Sequence, residues 1–174
     1  MTFVALLLAP VSAFAQEAGK TGIVLATPGT FALLFQVSER IAVRPELGFS
    51  TSTNDNNSLT TPVTGSAWSL SPGVSGLYYT GKWEALRAYV AGRYAYAYAK
   101  TTATTAGGSI ESTSKANTLA GSFGADYALH QRFSVFAELG LAFVHTSSST
   151  PAVTISPTAN VWAIRTAVGG IFYF

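Results

Sequence analysis

The residues able to do chemistry in this chain fall into two groups. The first is a set of seven charges embedded in otherwise apolar segments: Arg44, Glu46, Arg87, Arg93, Asp126, Glu138 and Arg165. Four guanidinium groups and three carboxylates brought together away from water must pair or hydrogen-bond, because an isolated buried charge is strongly unfavourable. Such a network serves as a narrow ion path, as a switchable network or as a structural plug. The second group is His145-Thr146-Ser147, a base and a hydroxyl on one face of an extended chain. A serine nucleophile needs the base, and the base needs an orienting acid. No Asp or Glu follows Glu138, so catalysis is not expected. His130 is the other histidine and there is no cysteine, which leaves no expectation of a metal centre, a thiol nucleophile or a cofactor.

The elements that carry these residues have a period of two. In FSVFAELGLAF, Phe133, Val135, Ala137, Leu139, Leu141 and Phe143 share one face, and Ser134, Phe136, Glu138, Gly140 and Ala142 share the other. Ile41 to Phe49, Leu86 to Tyr98, Leu119 to Leu129 and Trp162 to Phe174 repeat the alternation. The pattern predicts eight strands at about 19–27, 29–38, 40–51, 65–80, 84–100, 115–129, 132–146 and 158–174. Tight charged turns at Ser38-Glu39-Arg40, Thr80 to Glu84 and His130-Gln131-Arg132 alternate with polar stretches at Thr51–Gly65, Thr101–Lys115 and Thr146–Pro157. Those three stretches read as long loops. Thr27-Pro28-Gly29 would be an unusually short one. Pro45 and Pro72 conflict with a closed sheet, since proline cannot donate to the ladder. A shared bulge on consecutive strands is the expected accommodation.

Composition decides which way such strands face. Only 10% of residues are charged and 48% are apolar, yet no internal run approaches the roughly 18 residues of a spanning helix. The ten Lys and Arg against eight Asp and Glu leave a small excess with no basic stripe, so nucleic acid is not an expected partner. All seven mid-strand charges fall opposite the apolar face. Trp68, Phe49, Tyr94, Tyr96, Tyr98, Phe143 and Trp162 gather toward the loop ends of the strands, and Tyr78, Tyr127, Phe133, Phe172 and Phe174 toward the turn ends. Two aromatic girdles around an aliphatic band suit a bilayer. A soluble sandwich or lipocalin-like barrel would hold its aromatics mid-core. The expected fold is all-β, an eight-stranded antiparallel up-and-down transmembrane β-barrel, with both chain ends on the periplasmic side. Eight strands leave an interior that side chains can fill, which favours the plug over the ion path.

Ahead of the strands, FVALLLAPVSAFA ends in the small-x-small triplet Ala13-Phe14-Ala15. Residues 1–15 are read as a signal peptide and 16–174 as the barrel domain, although no Lys or Arg precedes the apolar core. Absence of cysteine fits export.

Val37 to Phe49 (VSERIAVRPELGF) resembles a turn-and-strand that recurs in a family of small outer-membrane barrels. The terminus Val168 to Phe174 (VGGIFYF) resembles the C-terminal barrel-assembly signal, with Val168, Phe172 and Phe174 as its bulky positions and Gly170 as a departure. In this respect the chain resembles outer membrane protein X and the barrel domain of outer membrane protein A, without the peptidoglycan-binding part of the latter. The resemblance implies a monomer in the bacterial outer membrane, in contact with lipid and lipopolysaccharide and handled by the barrel-assembly machinery. It implies a structural or surface-interaction role through the loops. A small solute channel is the first rival. A lipid-modifying enzyme is the second, because lipid A deacylases also carry a His-x-Ser pair at the outer end of a strand.

Overall fold

The computed structural model describes residues 21–56, 63–105, 107–150 and 157–174. The expected signal peptide and its cleavage point after Ala15 lie outside the described residues. Eight strands follow in chain order: β1 Thr21–Thr27, β2 Thr30–Gln36, β3 Ile41–Asn56, β4 Val63–Trp83, β5 Leu86–Thr105, β6 Gly108–His130, β7 Phe133–Ser149 and β8 Thr158–Tyr173. Each pairs antiparallel with its sequence neighbours. β1 also pairs with β8, from Gly22↔Tyr173 to Thr27↔Val168, which closes the sheet into a barrel and leaves no edge at its base.

Alternation sets the two surfaces. Ala42, Arg44 and Glu46 of β3 point inward and are buried, while Ile41, Val43, Leu47 and Phe49 are exposed. On β7, Ser134, Phe136 and Glu138 are buried while Val135, Leu139 and Leu141 are exposed. The largest apolar side chains are therefore outside: Phe123 is 75% exposed, Ile164 74% and Trp162 73%. Water would not tolerate so continuous an apolar exterior. A bilayer favours it. At the outer end Trp68 meets Tyr98 at 5.5 Å between ring centroids and Phe143 meets Trp162 at 5.3 Å. At the turn end Phe133 meets Phe172 at 4.6 Å. The aliphatic band lies between these aromatic levels, as at the two faces of a membrane.

Two expectations need correction. Thr101–Lys115 is not a loop: β5 and β6 pair without interruption from Leu86↔Tyr127 to Thr105↔Gly108, as one long hairpin. Likewise β3 continues to Asn56, β4 starts at Val63 and β7 runs to Ser149, so much of Thr51–Gly65 and the start of Thr146–Pro157 are strand. Residues 57–62 and 151–156 lie outside the described residues. Beyond the bilayer both faces of a strand are wet, so the apolar alternation stops while the ladder goes on. Threonine still favours extended backbone there.

The second correction concerns the prolines. β3 and β4 keep one register from Ile41↔Tyr78 to Asn56↔Val63 with no bulge between them. Pro45 instead sits where the β2–β3 ladder is interrupted, between Ala32↔Glu46 and Phe35↔Val43. Pro72 sits in the matching interruption between β4 and β5, between Leu70↔Tyr98 and Gly73↔Ala95. Both rings face outward. Each proline thus loses its hydrogen bond on one side without shifting the strand. The register shifts that do occur lie near the turns, at Tyr79/Gly81 and Ala128/His130.

β1 and β2 are joined by the tight turn Thr27-Pro28-Gly29-Thr30. Gly29 has φ +50° there, a left-handed conformation that a residue with a Cβ adopts only under strain.

Candidate functional site: the charged lumen and the cavity above it

The inward-facing side chains fill the barrel in layers. Nearest the turns, Arg87 and Asp126 form a two-pronged pair, Nε to Oδ1 at 3.1 Å and Nη2 to Oδ2 at 2.9 Å. The Arg87 guanidinium lies over the Tyr79 ring, 4.0 Å from its centroid, and Tyr79 meets Tyr89 edge-on at 5.5 Å. Tyr89 rests on Gly124. A Cβ at that glycine would collide with the ring, so the absence of a side chain on β6 lets the phenol lie over that strand and reach Glu138 of β7. Phe136 occupies the same level from β7, over Gly169 of β8.

Above this aromatic layer the remaining five charges make one connected cluster. Arg44 donates through Nε to Glu46 Oε1 at 3.0 Å and through Nη1 reaches Glu138 Oε1 at 2.7 Å. Arg93 Nε donates to Glu46 Oε2 at 2.6 Å, and Arg165 Nη1 to Glu138 Oε2 at 2.5 Å. Tyr89 donates its hydroxyl to Glu138 Oε1 at 3.0 Å, and Ser75 donates to Glu46 Oε1. Arg44 sits at the centre, bridging the two glutamates, with its guanidinium 5.4 Å from the Phe136 centroid. All seven charges singled out in the sequence therefore face the interior. They divide into an isolated Arg87–Asp126 pair and a five-member cluster.

Sequence reasoning placed the charges by parity but missed what surrounds them. Tyr79 and Ser75 are part of the packing, and their inward parity was the available signal. Arg44 and Glu46 are neighbours on one face of β3, but the Arg44–Glu138 and Arg93–Glu46 contacts depend on the stagger of strands that are not neighbours in the chain. Strand alternation carries no information on that.

The other flagged residues lie outside the lumen. His145 is exposed on the lipid-facing side, and its Nδ1 is 2.7 Å from the Asn160 Oδ1. The group orienting the imidazole is thus an amide, and Glu138 is buried on the opposite face of the same strand. His130 accepts the Arg132 backbone N–H in a turn, at 3.4 Å. Among the described residues no cluster of three metal-ligating side chains occurs. Val168 faces outward midway along β8, Phe172 faces outward at its turn end and Phe174 just beyond it, and the Phe174 N–H donates to the Thr21 carbonyl at 3.1 Å.

Over the five-charge cluster lies a cavity of about 730 Å³, floored by Arg44, Glu46, Arg93 and Arg165. It is the opposite of the layer below: Ala32, Ala142, Ala167 and Ser71 leave space where the tyrosines fill it.

Strands closed into a ring, an apolar exterior between aromatic levels and a charged interior define an outer-membrane-type β-barrel. Solved structures agree on the fold. The chain is similar to a major outer membrane protein from Thermus thermophilus, with a TM-score of 0.57 and 14% identity over 89% of this chain and 98% of that one. It is also similar to Ail, the attachment invasion locus protein of Yersinia pestis, with a TM-score of 0.50 and 11% identity over 91% and 100% of the two chains. CarO of Acinetobacter baumannii aligns at a TM-score of 0.48 and 13% identity, over 92% and 99%. No protein-family model and no curated protein matches the sequence.

Proposed function

We propose that the protein is a non-enzymatic, monomeric barrel of the bacterial outer membrane. Its lumen is sealed, and its role is to hold a protruding β-structure at the cell surface. The observation that carries this reading is the filled cross-section. Arg87, Asp126, Tyr79 and Tyr89 pack into one level, and the paired Arg44–Glu46–Glu138 group into the next, which supports a plugged interior. A route for ions would need to break several buried pairs at once, each unfavourable to open. The β3–β4 and β5–β6 hairpins continue past the outer aromatic girdle as Ser- and Thr-rich strands, which supports surface contact as the role. The attachment in the name of Ail is a property of that protein; here it adds only that the same fold serves such work.

Residues 1–15 act in this reading as the export signal, and mature protein starts at Gln16. Val168, Phe172 and Phe174 supply the signal read by the assembly machinery. The lipid-facing band contacts outer-membrane lipid and lipopolysaccharide. Planar-bilayer recording of the purified protein tests the sealed lumen. No steady conductance is expected, and reproducible porin-like steps would replace this reading with that of a small solute channel.

A further inference from the structure

The barrel wall is not of even height. β1 and β2 have 7 residues each, whereas β3 to β8 have 16 to 23. β1 pairs with β8 only from Val168 to Tyr173, and β2 pairs with β3 only as far as Gly48. Above that level β8 from Thr158 to Ala167 and β3 from Phe49 to Asn56 continue with no strand between them among the described residues. Along β8 the gap extends roughly 30 Å at about 3.3 Å per residue. Its lower part lies within the bilayer, since it begins at Ala167, well below the girdle residue Trp162. Exposure follows the gap. Every residue from Thr158 to Ile164 is exposed.

The cavity borders this gap. Its lining combines inward residues with Phe49 and Ile164, which belong to the outward faces of β3 and β8, and with the β1–β2 turn at Pro28 and Gly29. Thr27 to Thr30, Phe49 and Ile164 all flank the missing stretch of wall, so the cavity lies beside it. The five-charge cluster at and beneath the floor carries three arginines against two glutamates, a net charge of one positive largely out of water. Arg93 uses Nε on Glu46 and Arg165 uses Nη1 on Glu138. Their other N–H groups have no protein acceptor among the described residues. The walls are of small residues, apolar at Val24, Ala26, Ala32, Ala142 and Ala167 with the Phe136 ring, and hydroxyl-bearing at Ser69, Ser71 and Thr118.

We propose that this cavity binds a long-chain carboxylate that enters sideways from the outer leaflet. The carboxylate rests on Arg93 and Arg165, supplying the missing negative charge through charge-assisted hydrogen bonds. The alkyl chain leaves over the Pro28-Gly29 turn, between Phe49 and Ile164, into the lipid. The sealed layer beneath stops the ligand from crossing, so this is a binding site and not a conduit. The site stands whether or not the barrel has the surface role proposed above.

The test uses the barrel in lipid nanodiscs and palmitate bearing a carbon-13 carboxyl and a photoreactive group at the chain end. One saturable site per barrel is expected, with a carboxyl resonance distinct from that in empty nanodiscs. Photolabelling should fall on Phe49, Ile164 or the β1–β2 turn. Arg165→Gln should weaken binding about tenfold or more. Ala142→Trp, which fills the cavity and leaves every charge in place, should abolish it; heat-modifiable mobility shows that each variant is folded. Hexadecanol and acetate should each compete at least about tenfold less well, lacking the charge and the chain respectively. Absence of a saturable site would overturn the proposal. So would equal competition by hexadecanol, wild-type affinity in Ala142→Trp, or labelling confined to lipid-facing residues such as Phe123. Conductance without palmitate is a separate readout, so loss of this site and failure of the seal are told apart.

Discussion

Removing an acid from the five-charge cluster should cost far more than removing a base. The Glu138 side chain is fully buried and holds Arg44 at 2.7 Å, Arg165 at 2.5 Å and the Tyr89 hydroxyl at 3.0 Å. Glu138→Gln keeps the shape but leaves Arg44, Arg93 and Arg165 with Glu46 as their one carboxylate, a net excess of two positive charges. Breaking a buried pair in this way costs about 3–5 kcal/mol. Arg165→Gln acts in the other direction. Two arginines then face two glutamates, the cluster becomes neutral, and Glu138 keeps Arg44 and Tyr89. The loss is one charge-assisted hydrogen bond from a side chain 17% exposed, about 1–2 kcal/mol. The double variant should cost less than the sum of the two, because the second change removes charge that the first left uncompensated. Urea unfolding of the refolded barrel, followed by tryptophan fluorescence and by heat-modifiable mobility, measures all three. Equal costs for the two single variants, or a greater cost for Arg165→Gln, would refute the charge count on which the reasoning rests.

Deleting Phe174, or replacing it by Asp, should leave the exported chain unassembled and open to periplasmic proteolysis. Normal membrane insertion in cells would remove the C-terminal signal. His145→Ala should leave the lipid A acylation pattern of cells unchanged, because its ring is oriented by Asn160 and not by an acid; an altered pattern would bring back the enzymatic reading. N-terminal sequencing of the purified protein should begin at Gln16, and an intact Met1 would contradict cleavage after Ala15.

Much of this arrangement was legible in the sequence, because a strand period of two assigns each side chain to a face without knowledge of the partner strand. Arg44 and Glu46 read as inward beside outward Val43 and Leu47, and the structure has them so. The strand ends were less legible. TTATT at Thr101 to Thr105 has no apolar alternation, since no face of it meets lipid, and its strand tendency rests on threonine alone. The turn glycines that follow were a usable sign of a hairpin. Pro45 and Pro72 looked like shared defects because parity does not say toward which neighbour a given N–H points. The cavity was least legible of all. Ala32 on β2 is far in the chain from Ala142 and Ala167 on β7 and β8, and only barrel closure makes their small size into a space.

The central claim is that these strands form a closed barrel whose exterior belongs in a bilayer. Mobility of the detergent-purified protein in a denaturing gel, with and without boiling, tests it most directly. The account predicts that the unboiled barrel migrates differently from the boiled chain, and that it stays in solution only with detergent or lipid. A single mobility under both conditions, from a protein soluble without detergent, would contradict it.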